Sequence, residues 1–181
     1  MGRSRGLQIG IDSQCLSYLL NAISGVEEPT DILAEEKKAL IRTWFYRPNH
    51  FAFTLTATVL EEVRAIRDSV RREFHESFSR TLMLDHPVKD QHAVQKRADE
   101  LAESHPRGRD CRILAEAEEL GLDFVLTYDH DFWKRLKDKS PITKLIKPSV
   151  YWSNCGIVTG SPPKTVPHKT NPLSNQEWWR W

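Results

Sequence analysis

The feature that most limits what this chain can fold into is an alternation of short apolar runs with stretches apolar at helical spacing. "LQIGID" puts Leu7, Ile9 and Ile11 on one strand face and ends in Asp12, and "SQCLSYLLNAI" then repeats its apolar residues with the period of a helix. "FAFTLT" (Phe51 to Thr56) reads as a second strand, "DFVLT" as a third, and "KLIKPSVYW" contributes a last short one. The intervening segments read as helices. They are Ile32 to Phe45, a long helix from Ala57 to Phe78, the polar "QHAVQKRADELAESH", and "CRILAEAEELG", stopped by Gly121. Val59, Val63, Ile66, Val70, Phe74 and Phe78 form the expected buried stripe of the long helix, and "LDHPVKD" is expected as a loop. Strands joined through helices pair in parallel, because a parallel crossover is too long for a turn. The expectation is therefore an α/β fold with a parallel sheet covered on both faces.

At 181 residues the chain suits one domain, and its 39% hydrophobic and 28% charged residues are the mixture of a globular protein. The composition changes at Asn154 to Gly, Pro, Ser, Thr and Lys, so residues 1–153 read as the domain and 154–181 as an extended tail. A net charge of +1 carries no large basic excess, so a polyanionic partner would have to be held locally. The apolar part of "MGRSRGLQIGID" is too short for a signal peptide, and no run approaches a membrane span. Cys15, Cys111 and Cys155 have neither disulfide-framework nor zinc spacing, and a cytoplasmic protein with no membrane contact is expected.

The acids carry the chemistry. On the long helix Glu62 lies beside the Val59, Val63 and Ile66 stripe, whereas Glu61 points away. On the helix after "PRGRD", Asp110 shares a face with Ile113, Leu114 and Ala117, while Glu116, Glu118 and Glu119 lie further round toward solvent. Each Asp has a plainer reading as a helix N-cap, Asp12 and Asp110 included, and Asp131 is read as the cap before "FWKRLK". Taken together, Asp12 ends the first strand, Asp129 follows the third, Glu62 comes just after the second and Asp110 opens a helix between them. In a parallel sheet these strand ends share one edge, where open α/β sheets bind ligands. Carboxylates crowded there repel unless a cation neutralises them, and Mg²⁺ or Mn²⁺ suits an all-oxygen donor set. Such a site fits metal-assisted attack of water on a phosphate.

The segments "IGIDSQCLSYLL", "LTATVLEEV" and "DCRILAEAEELGLDFVLTYDHDF" together resemble the PIN-domain nuclease family, including the VapC-type toxins of bacterial toxin–antitoxin pairs. Thr127 stands where that family has the threonine of its "TxD" motif, and the pieces span most of Gln8 to Phe132 in the family's order. The resemblance implies a three-layer α/β/α sandwich and a Mg²⁺- or Mn²⁺-dependent endoribonuclease, cutting single-stranded RNA to leave a 5′-phosphate and a 3′-hydroxyl. It implies Asp12, Asp110 and Asp129 as metal-holding residues and Glu62 as the fourth catalytic acid, completing the site or orienting water. Ser13, Thr127 and Asp131 would support these carboxylates. An antitoxin protein and a homodimer are partners by analogy. The chain differs from compact VapC-like chains in a longer segment from Gly25 to Asn49 and in the tail after Tyr151.

Arg107 and Arg109, just ahead of Asp110, are the nearest candidates for RNA phosphates. Arg64, Arg67 and Arg71 recur along the long helix beginning next to Glu62, although a charge stripe is ordinarily a solvated face. Trp178, Trp179 and Trp181 of "EWWRW" read as anchors of the tail on the domain or on a partner subunit, in preference to base-stacking groups. Of seven histidines only His130 reads as near the acids. Two other functions stay open: a phosphohydrolase with an aspartyl nucleophile, for which "DSQ" lacks the second acid, and an inactive RNA-binding or protein-interaction module.

Overall fold

The computed structural model describes residues 6–25, 27–47 and 52–181. At its centre is β1 (Ile9–Ile11), buried at every position. Parallel neighbours β2 (Phe53–Leu55) and β4 (Phe124–Leu126) put Ile9 opposite both Phe53 and Phe124. Outside them lie β3 (Leu84–Asp85) and β5 (Lys144–Ile146), giving a five-stranded, all-parallel sheet in the order β3-β2-β1-β4-β5. Gly10 lets Leu122 pack directly onto β1: a Cβ there would come 2.9 Å from Leu122 Cδ1, and that side chain would have to shift.

The helices α1 (Ser13–Ile23), α2 (Ala34–Tyr46), α3 (Ala57–Arg64), α4 (Ser69–Leu82), α5 (Gln91–Ala102), α6 (Gly108–Glu119), α7 (His130–Leu136) and α8 (Pro148–Asn154) flank the sheet in a three-layer α/β/α sandwich. The helix stop expected at Gly121 is a Schellman cap. Gly121 takes φ 65°, its N–H bonds Glu118 O, and Leu122 N–H bonds Ala117 O. Leaving β1 the chain builds toward β3, and after β3 it crosses back to β4 on the other side of β1. The connection reverses between β1 and β4, which is where a crevice opens at the carboxyl edge of such sheets.

Two local readings are corrected, and the last short strand is found where it is expected. The helix expected over Ala57 to Phe78 is two helices, because Asp68 accepts Arg71 N–H and starts α4 afresh. The restart rotates the stripe, leaving Val70 77% and Phe74 39% exposed, while Phe78 still meets Trp44. The segment "LDHPVKD" is not wholly a loop, since Leu84 and Asp85 pair with Thr54 and Leu55. In "KLIKPSVYW" only Lys144–Ile146 is strand, and Pro148 opens α8 in the first-turn position that suits its fixed φ. Part of the expected second strand, Phe51, lies outside the described residues.

The segment after Asn154 has little regular structure beyond a 3₁₀ turn at Pro172–Asn175, yet it packs closely. Leu173 and Trp179 are fully buried, the Trp179 ring lies 4.6 Å from Phe45 of α2, and its Nε1 donates to Leu173 O. Trp181 stacks under Arg42 and meets Trp152 of α8 edge-on, and its backbone N–H bonds Tyr46 Oη. Among the described residues no helix is long and apolar enough to cross a membrane.

Candidate functional site

Asp12 stands directly after β1, where its N–H continues the ladder to Leu126 O of β4. Its Oδ1 accepts Cys15 N–H at 2.7 Å, capping α1. Three residues beyond the neighbouring strand β4, Asp129 Oδ1 accepts Asp131 N–H and Phe132 N–H, at 2.9 and 3.0 Å. Asp129, and not Asp131, is therefore the cap of α7. A carboxylate has two oxygens, so the cap reading and the site reading are compatible for both residues: one oxygen fixes the helix start, and the second oxygen of Asp129 faces the side chains of Gln14 and Arg107.

Asp110 is in the first turn of α6 without capping it. Its Oδ2 meets His105 Nε2 at 2.7 Å. Glu62, on α3, receives Ser13 Oγ at Oε2 and Arg109 Nη1 at Oε1, the latter at 3.2 Å. Asp12, Glu62, Asp110 and Asp129, with Ser13 and Arg107, line one cavity of about 100 Å³. Thr127, fully buried, joins two of them, bonding the Asp12 carboxylate and accepting Asp129 N–H at 3.0 Å. A larger groove of about 490 Å³ adjoins, sharing Glu62 and walled by Arg109, Arg112, Gln95 and Asp99.

Electrostatics distinguishes the acids. Asp12 is only 4% exposed, and burial, helped by the Asp110 charge, pushes its carboxyl up to about 6 against the bonds from Thr127 and Cys15. Burial also raises Glu62, opposed by Arg109. Asp129 is held below its ordinary value: burial is outweighed by the Phe132 N–H and by Arg107, whose Nη1 lies 2.7 Å from Oδ2. Burial pushes the Cys15 and Cys111 thiols up, so neither is a poised nucleophile.

Whether these residues suit a divalent ion turns on the donor set. Four carboxylates supply hard oxygen ligands, and Asp12 is buried with no ammonium or guanidinium against it among the described residues. That chemistry fits Mg²⁺ or Mn²⁺. As the side chains stand, no group of three or more His, Cys, Asp or Glu among the described residues is arranged to hold an ion. One oxygen of Asp110 bonds His105, Glu62 bonds Ser13 and Arg109, and one oxygen of Asp129 bonds Arg107.

The remaining residues sort clearly. Asp131 is exposed, 3.8 Å from Arg107 Nη2. Arg64 does not reach the acids. Two residues beyond Glu62, it is about 200° round the helix, and it lines a separate cavity with Leu60, Val63 and Arg80. The stripe of Arg64, Arg67 and Arg71 is also broken, since α3 ends at Arg64 and α4 begins at Ser69. His130 is exposed, and the histidine at the acids is His105; the expected helix "QHAVQKRADELAESH" stops at Ala102, which leaves His105 in a loop beside Asp110.

Glu116 was expected toward solvent and is fully buried, accepting Thr58 N–H and Oγ1–H, both at 2.9 Å, and Arg112 Nε–H. The stripe on α6 locates the sheet, but α3 and α5 pack on its other sides. Glu118 pairs with Arg97 at 2.7 Å, and Glu119 is exposed. No protein-family model matches the chain, and no curated protein matches it.

Proposed function

We propose that the protein is a metal-dependent endoribonuclease that hydrolyses phosphodiester bonds of single-stranded RNA in the cytoplasm. The observation that carries this reading is the convergence of Asp12, Glu62, Asp110 and Asp129, from four separate segments, on one cavity at the carboxyl edge of the sheet. Asp12, Asp110 and Asp129 would hold Mg²⁺ or Mn²⁺. When bound, such an ion offsets charge on the phosphate oxygens and makes water a better nucleophile near neutral pH. Glu62, lifted by burial, is suited to orient a water and accept its proton. Ser13 and Thr127 fix the carboxylates from behind.

Arg107 and Arg109 stand at the mouth, 53% and 71% exposed, where a phosphate backbone would exchange with their carboxylate partners. The groove beyond Glu62 gives the chain a path. A toxin role with an antitoxin partner, and a homodimer, are extensions of the same reading that rest on the motif resemblance. The test is cleavage of a labelled single-stranded RNA with Mg²⁺ or Mn²⁺ by the wild type, Asp12→Asn and Asp110→Asn, each checked for folding by circular dichroism. Loss of cutting in both variants is expected; wild-type rates in either would overturn the reading.

A further inference from the structure

We propose that His105 is a positioning residue for the site, holding Asp110 so that one carboxylate oxygen stays directed to the ion and fixing its placement relative to Asp129. The role rests on the divalent-ion reading of the pocket. His105 lies in the loop between α5 and α6 and is 1% exposed. Its Nε2 is 2.7 Å from Asp110 Oδ2. An ionised carboxylate only accepts, so the ring donates through Nε2–H, which the neutral imidazole does as well as the charged one. The other nitrogen, Nδ1, is buried with no hydrogen-bond partner among the described residues.

A bare buried ring nitrogen is a cost that an apolar side chain of similar bulk would not carry. What distinguishes histidine here is the bond at Nε2. The ring is also clamped. His105 N–H bonds Leu101 O, its carbonyl accepts Cys111 Sγ, and the ring lies nearly parallel to Phe132, 6.3 Å between centroids at 13°. Phe132 is the residue whose N–H donates to Asp129 Oδ1. One imidazole thus bonds the acid of α6 and stacks on the residue bonded to the acid of α7. With Oδ2 held, Asp110 Oδ1 accepts no hydrogen bond among the described residues and is the oxygen left for a ligand.

The test compares His105→Leu, which keeps bulk without a donor, with His105→Gln, whose terminal amide can donate at similar reach. Mn²⁺ affinity of the full chain is measured by calorimetry, and thermal melting is followed in parallel. His105→Leu is expected to weaken Mn²⁺ binding by roughly 10- to 100-fold. His105→Gln should recover most of that, with the two variants melting alike. Equal Mn²⁺ affinity of the two variants, or wild-type affinity in His105→Leu, would overturn the positioning role alone. A wild type that takes up no Mn²⁺ would overturn the ion reading along with it. The bond itself is read without metal, and without a folded Leu variant, as an exchange-protected imidazole N–H resonance that disappears in Asp110→Ala. Its absence from the wild type counts against the role whatever the metal data.

Discussion

Arg107 Nη1 lies 2.7 Å from Asp129 Oδ2 and 4.0 Å from Asp110 Oδ2, so a single guanidinium spans two of the four acids. A divalent ion held by Asp129 would compete with this guanidinium for the same oxygen. Arg107→Ala is therefore expected to raise Mn²⁺ affinity several-fold while weakening single-stranded RNA binding. The salt slope of log K should fall by about 1, the loss of one phosphate contact. Calorimetry with Mn²⁺ and anisotropy with RNA at several salt concentrations check both signs. A fall in Mn²⁺ affinity would contradict the competition.

Asp12 sets a pH dependence. Its carboxyl has an ordinary value of 3.8 and is raised to about 6 in the folded chain. Between those values the folded state holds a proton that the unfolded chain has released, so metal-free stability falls as pH rises. The loss is complete above about 6 and amounts to about 2–3 kcal/mol. Asp12→Asn keeps the cap, because Asn caps as well as Asp, and should be the more stable protein at pH 7 but not at pH 4. Urea unfolding of both across that range checks it, and a pH-independent difference would be the contrary result.

Glu116 ties α6 to α3 one turn before Glu62. Glu116→Ala would leave Thr58 N–H and Oγ buried without their acceptor. A loss of about 2–4 kcal/mol is expected, with Glu116→Gln losing less. Denaturant titration measures this, and Mn²⁺ affinity of the folded fraction reports whether Glu62 moves with the helix.

Trp179→Ala should cost about 3–5 kcal/mol, as for a fully buried aromatic residue. Trp179→Phe should cost less, losing chiefly the bond to Leu173 O. Chemical denaturation with tryptophan fluorescence distinguishes the two. Near-wild-type stability of Trp179→Ala would show that the segment after Asn154 does not share in the core.

Much of this architecture is legible in the sequence because two signals agree. Apolar runs such as "FVL" alternate with helical stripes, and the acids fall at strand ends, where a parallel sheet gathers them. The helical wheel puts Glu62 on the inward side, and it lines the cavity. What the sequence hides has local causes. Val59 through Phe78 keep their helical period straight across the break at Asp68, so only the cap residue itself marks it. Asp129 and Asp131 both suit a cap, and the backbone geometry after β4 decides for Asp129. Glu116 escapes because a wheel shows one buried face, while α6 is enclosed by other helices as well. His105 escapes because it reads as the last residue of a polar helix that in fact ends at Ala102, and the turn that follows is what brings it to Asp110.

Phe45, on α2, accepts Lys164 and Thr165 N–H at its carbonyl and faces the Trp179 ring. The helix before β2 and the stretch after α8 are thus opposite sides of a single aromatic seam. Anyone trimming this protein toward a minimal version would have to remove both or neither, since either half alone presents a bare, sticky surface to other molecules.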